Sequence, residues 1–177
     1  MKIIPSAVLL LFCCSNAVAE TATPERCADM PVYNLLDFWV GEWAVYSGDE
    51  KVGENRIEKI LSGCAVMEHW KGAGGGEGKS LFFVAANGNW KQVWVTEWAT
   101  NPGGVKEKTH VGTLPGEAIR FQGQVEHPDV GTYLDRTTLT PNENGRVHQV
   151  IEISKDGGAT WKTTFEAIYR RVTSDQP

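Results

Sequence analysis

The segment Trp90-Lys-Gln-Val-Trp-Val-Thr-Glu-Trp98 sets Trp90, Gln92, Trp94, Thr96 and Trp98 at alternate positions. Alternate side chains of a strand share a face. Indoles interleaved with an amide and a hydroxyl form the kind of wall that binds a small apolar or aromatic molecule: large contact area, few orienting polar groups. The same face also suits a bulky core. A second candidate is Glu68, which alternates with Val66 and Trp70. An inward carboxylate there needs a partner, because an unpaired buried charge is strongly unfavourable. Gln92, Arg136 and Arg120 are the available partners. A Glu–Arg pair would serve either as a structural tie or as a grip on a polar head group. Trp70, Arg136 and His148 join Glu68 and the Trp90–Trp98 face as the candidate ligand-binding set.

Other chemistry finds less support. Glu68 can act as a general base, but His69, its neighbour, points to the opposite face of a strand. No Gly-x-Ser-x-Gly elbow surrounds a serine. The four histidines, His69, His110, His127 and His148, form no HExxH and no close His/Cys cluster. No metal site, haem ligand or other cofactor is therefore expected. The octet "SKDGGATW" from Ser154 to Trp161 resembles the Asp-box of sialidases. It occurs once, so no propeller repeat is implied, and glycoside hydrolysis would need a second carboxylate. Asp156 and Gly157 are turn residues that tolerate left-handed backbone, and Trp161 can cover the turn. The octet reads as a hairpin clip.

These residues sit on short runs of period-2 alternation separated by Gly, Asn, Asp and Pro. The predicted strands are Glu42–Ser47, Asn55–Leu61, Ala65–Lys71, Lys79–Ala85, Trp90–Trp98, Gly104–Val111, Ala118–Val125, Thr132–Thr140, Arg146–Ser154 and Thr160–Arg171. A short helical turn over Pro31–Trp39 precedes them, with Asn34 as its cap. The Gly-rich stretch Gly72–Gly78 is a loop, and no helix follows it to make a phosphate site. About ten strands joined by tight turns predict an all-β, antiparallel up-and-down β-barrel, because closure removes the exposed edges. A barrel of this size is wider than side chains readily fill. A two-sheet sandwich is the competing arrangement.

The first 19 residues combine Lys2, an apolar core and Ala17-Val18-Ala19, and read as a secretory signal peptide. Residues 20–34 form a polar leader, and residues 35–174 the barrel domain. Without Lys2 the 17 basic residues fall to 16 against 22 acidic, a net charge of −6. That balance argues against nucleic acid as a partner. No second apolar run is long enough for a membrane span. Cys27 and Cys64 remain after cleavage, and a periplasmic or secreted location favours their pairing as a disulfide.

The stretch "LLDFWVGEWAVY" at 35–46 resembles the start of the calycins, the lipocalin-like barrels, with Gly41 and Trp43 in their Gly-x-Trp. The resemblance implies that Trp43 plugs the closed end, with an Arg of the last strand, Arg170 or Arg171, laid across it. The order of "DFWVGEW", "IEKILSGCAVMEHW", "GKSLFF", "NWKQVWV" and "GRVHQVIEISKDGGATW" is similar to that of the DUF1579 family of exported bacterial proteins. Leu139 and His148 depart from that family's pattern of Trp and Arg. The expected function is binding of a small apolar or aromatic ligand after export. An envelope protein with a structural or protein-binding role, and an enzyme using Glu68 as acid or base, are the alternatives.

Overall fold

The computed structural model describes residues 26–97 and 105–172. The signal segment, Gly104 and Trp98 lie outside the described residues. Alternation and turns produce β1 Gly41–Ser47, β2 Glu50–Ile60, β3 Ala65–Gly72, β4 Glu77–Val84, β5 Trp90–Thr96, β6 Val105–Leu114, β7 Ala118–His127, β8 Gly131–Pro141, β9 Val147–Ser154 and β10 Lys162–Arg171. Every strand pairs antiparallel with its sequence neighbour, and β1 pairs with β10, so the ten strands form a closed barrel. The sandwich alternative is thereby excluded. Register shifts at Val45/Tyr46, His110/Gly112 and Thr163/Phe165 bend the wall, as bulges do.

One end of the barrel is sealed by the chain that precedes it. Short 3-10 turns at Cys27–Asp29, Pro31–Asn34 and Asp37–Trp39 cross this end. The Cys27–Cys64 disulfide ties the first turn to the β2–β3 connection. Asn34 does not cap a helix. Its side chain instead accepts a hydrogen bond from Lys59 at 3.2 Å, and Lys59 also pairs with Asp37 at 2.6 Å. Trp39 enters the barrel and packs edge-on against Phe82 and Tyr169, at centroid distances of 5.7 and 5.9 Å.

Trp43 is 1% exposed and its indole N–H donates to the Trp39 carbonyl at 2.8 Å. Arg171, not Arg170, lies over its ring at 4.3 Å and donates to the carbonyls of Val40 and Phe38. Arg170 stacks on Tyr46 instead. Gly41 makes this arrangement possible: at φ 142° a Cβ there would occupy the Arg171 guanidinium. Two faces of one basic dipeptide are thus divided between the plug and the outer wall.

The Ser154–Trp161 octet closes the β9–β10 hairpin at the opposite end. Asp156 accepts from the Thr160 amide at 2.9 Å and from the Ser154 hydroxyl at 2.7 Å. The Thr160 hydroxyl adds a third bond. These donors, those of Thr160 first, hold the Asp156 carboxyl far below its usual range. Trp161 donates from its indole to the Gly158 carbonyl at 3.0 Å and carries Arg136 on its face at 3.8 Å. Every partner of Asp156 is local, so its chemistry is that of a turn.

Candidate functional site

The inward residues change character with depth. Next to the sealed end they are apolar: Val66 on β3, Trp90 on β5, Leu139 on β8 and Val147 on β9. Trp90 is held there by its indole bond to the Val32 carbonyl, 2.8 Å. One inward step further, the same strands carry Glu68, Gln92, Thr137 and Gln149, all buried. A further step brings Trp70, Trp94 and Ile151 on three of these strands. An apolar plug, a polar belt and an aromatic mouth are stacked along the axis.

The belt is a continuous hydrogen-bond chain. Tyr169 donates its phenol to Gln149 at 2.8 Å and accepts from the Asn55 amide at 3.2 Å. The same Asn55 amide donates to Glu68 at 2.8 Å. Ser80 also bonds Glu68, and accepts from the Gln92 amide at 3.0 Å. The side-chain carbonyl oxygens of Asn55 and Gln92 have no partner among the described residues. Burial pushes the Glu68 carboxyl above its usual range, against the opposing bonds of Ser80 and Asn55 and the charge of Lys108. Burial likewise pushes the Tyr169 phenol well up, and the nearby Glu68 adds to it.

Across the interior, β6 supplies Lys106 and Lys108. Both ammoniums contact Asp135, which is 0% exposed. Lys108, itself 4% exposed, also donates to the Thr137 hydroxyl at 2.6 Å. Burial lowers the Lys108 ammonium, opposed by Asp135. Burial alone would raise the Asp135 carboxyl, but the charges of Lys108 and Lys106 hold it below its usual range.

Between the belt and the mouth lies a cavity of about 370 Å³, within the range of small-molecule sites. Trp70, Trp94, Phe165 and Ile151 form its apolar wall; Glu68, Gln92 and Lys108 face it from the belt side, and Lys106 from the level of Trp94. Trp70 and Phe165 meet edge to face at 6.0 Å. Glycines seat the indoles: a Cβ on Gly53 would collide with the Trp70 ring, and one on Gly78 with the Trp94 ring. Thr96 stands at the rim, with its hydroxyl on the Glu77 carbonyl at 2.9 Å.

The sequence-derived set therefore divides. Glu68, Trp70, Gln92 and Trp94 line the cavity. Trp90, expected beside them, is part of the plug. Arg136 is not the partner of Glu68. It alternates with the inward Thr137 and makes a double hydrogen bond to Glu152 on the outer face, at 2.7 and 3.0 Å. Arg120 lies on the same outer face, bonded to Thr138. His148 also points outward and pairs with Glu166 at 2.9 Å. His69 pairs with Glu58 at 2.8 Å on the outside, as the alternation with Glu68 requires. Lys108, Asn55, Gln149 and Tyr169 in the belt, with Lys106 and Asp135 one step nearer the mouth, are the residues that sequence reasoning missed. In "VKEKTH" Lys106 and Lys108 alternate with Glu107 and Thr109, so the pattern gave no signal for them. Among the described residues no group of His, Cys, Asp and Glu is arranged to hold a metal ion. No helix there is long and apolar enough to cross a membrane.

A closed antiparallel meander of ten strands has the lipocalin-like, calycin topology. No family model matches the chain, and no curated protein matches it.

Proposed function

We propose that the protein binds one small amphipathic molecule, with an apolar or aromatic body, inside the barrel. The observation that carries this reading is the stacking of an aromatic mouth over a buried polar belt around a cavity of about 370 Å³. A core built for stability alone is favoured by apolar packing, since buried charges lose much of their hydration. Here Glu68, Lys108 and Asp135 are buried beside a cavity, and the carbonyls of Asn55 and Gln92 lack a protein partner. Polar groups so placed orient a ligand while the indoles and Phe165 supply contact area.

The test is a titration of intrinsic Trp fluorescence with an uncharged aromatic probe such as naphthol. A saturable change at one site per chain is expected. Trp94→Ala should weaken it by at least 2 kcal/mol, about thirtyfold, as truncation of a packed aromatic anchor does. Linear quenching that Trp94→Ala leaves unaltered would make the interior a core rather than a site. Glu68 at the foot of the cavity, pushed toward its acid form, also supports an acid–base enzyme reading. Turnover of a bound probe that Glu68→Gln abolishes would select that reading over simple binding.

The ordered motifs of the sequence support kinship with the exported DUF1579-type barrels. The segment ending at Ala19 and the Cys27–Cys64 bridge support a periplasmic or secreted location. Recovery of the chain from periplasm with Glu20 as its first residue is the expected result.

A further inference from the structure

We infer that the ligand carries one carboxylate, or an equivalent monoanionic head, and binds with that head against Lys108 and its tail among Trp70, Trp94 and Phe165. This rests on the binding reading above and names the chemistry of that site.

Charge count is the first argument. The charged groups facing the cavity are Glu68, Lys106 and Lys108, with Asp135 directly behind the lysines. Two ammoniums share one carboxylate there, leaving an excess of one positive charge on the β6 side that only Glu68, across the cavity, could offset. Lys106 keeps 29% of its side chain exposed and is partly hydrated, whereas Lys108 keeps 3%. The uncompensated charge is therefore felt most at the Lys108 end, where water screens it least.

Donor count is the second. An ammonium has three N–H donors. Lys108 uses one on Asp135 and one on Thr137. The remaining donor belongs to a side chain that lines the cavity. A ligand carboxylate there would complete the ammonium's bonds and balance its charge in one step.

The opposite wall fits the same head. Burial disfavours the charged form of Glu68, which weakens its repulsion of an anionic head. A cationic ligand would meet the excess positive charge of the lysine side. A neutral ligand would leave that excess to Glu68 alone, whose charged form burial disfavours. Depth agrees as well: Lys108 lies in the belt and the aromatic groups lie toward the mouth, so the polar head enters first.

The experiment compares naphthylacetic acid, naphthylacetamide and naphthylethylamine, which share one aromatic body, by calorimetric titration of the full mature chain at neutral pH. The acid should bind at least about tenfold tighter than the amide, with the amine weakest. Lys108→Met should bring acid and amide to equal affinity. Lys106→Gln, which keeps the Lys108–Asp135 pair, provides the variant least able to disturb folding and should reduce the preference in part. Acid preference in wild type that both variants retain would overturn the assignment to the lysines. Equal binding of all three probes, or tighter binding of the amine, would overturn the anionic head while the cavity reading stands. Absence of binding by any of the three would overturn the cavity reading and this inference with it.

Discussion

Asp135→Asn isolates the electrostatics of the interior with little change of shape. The wild-type carboxylate is fully buried between Lys106 and Lys108. After the substitution Lys106 can turn its partly exposed ammonium to water. Lys108 cannot, since its side chain is 3% exposed, so it is left charged with only the Thr137 hydroxyl as partner. Breaking a buried pair from one side costs about 3–5 kcal/mol. With a urea m-value of about 2 kcal/mol/M, that loss lowers the denaturation midpoint by roughly 2 M. The loss also has a pH signature. Burial already lowers the Lys108 pKa, and removing Asp135 takes away the larger of the two charges that oppose this, leaving Glu68. The unfolded chain then binds the Lys108 proton over a wider pH range than the folded one. Stability of the variant should therefore rise as pH rises through the lowered folded pKa toward the unfolded value of 10.5. Urea denaturation at pH 6 and pH 9.5 measures both effects. A midpoint unchanged from wild type, or a deficit that does not shrink at the higher pH, would refute the buried-pair reasoning. Adding Lys108→Met should restore most of the lost stability, because no charge is then stranded.

Four further outcomes follow from the same structure. Glu68 has a raised folded pKa, so its contribution is present below the unfolded pKa and is lost as pH rises through the folded value; Glu68→Gln should flatten that fall in a pH series of denaturant midpoints. Cys64→Ala opens a loop spanning 37 residues and should lower stability by about 4 kcal/mol in the chain-entropy model, read from urea midpoints of oxidised protein. Trp43→Ala should cost about 3–5 kcal/mol by equilibrium denaturation, as a 1%-exposed aromatic lost from the plug. Gly78→Val should displace the Trp94 ring and weaken naphthol binding in the fluorescence titration, with a far-UV spectrum still that of a barrel.

The barrel was readable because alternation and turn residues agree along most of the chain. "NENG", "PGE" and "ANGN" mark the connections at the sealed end, and strands alternate between them and the turns of the other end. Gly41-Glu42-Trp43 and the terminal arginines located the plug, although only geometry could choose Arg171 over Arg170. Glu68, Trp70, Gln92 and Trp94 were legible as candidate site residues because each alternates with apolar or aromatic neighbours. The belt opposite was not. On β6, Lys106 and Lys108 alternate with Glu107 and Thr109, so both faces are polar and parity names no interior. On β8, Leu134 and Leu139 have opposite parity, so the apolar pattern does not say whether Arg136 or Asp135 turns inward. Closure decides it, by setting Asp135 beside the β6 lysines and Arg136 beside Glu152. Trp90 misled for a related reason. A strand face is one line of side chains, but the N-terminal cap covers only its first member.

The claim that a ligand occupies the space between belt and mouth is tested most directly by the indole N–H resonances in a proton–nitrogen correlation spectrum. Of the seven tryptophans, Trp70 and Trp94 border the cavity, while Trp39, Trp43 and Trp90 form or flank the plug. Saturation with naphthylacetic acid should shift the Trp70 and Trp94 indole signals and leave those of Trp39 and Trp43 in place. Shifts confined to the plug indoles, or to Trp161 on the outer hairpin, would contradict the account.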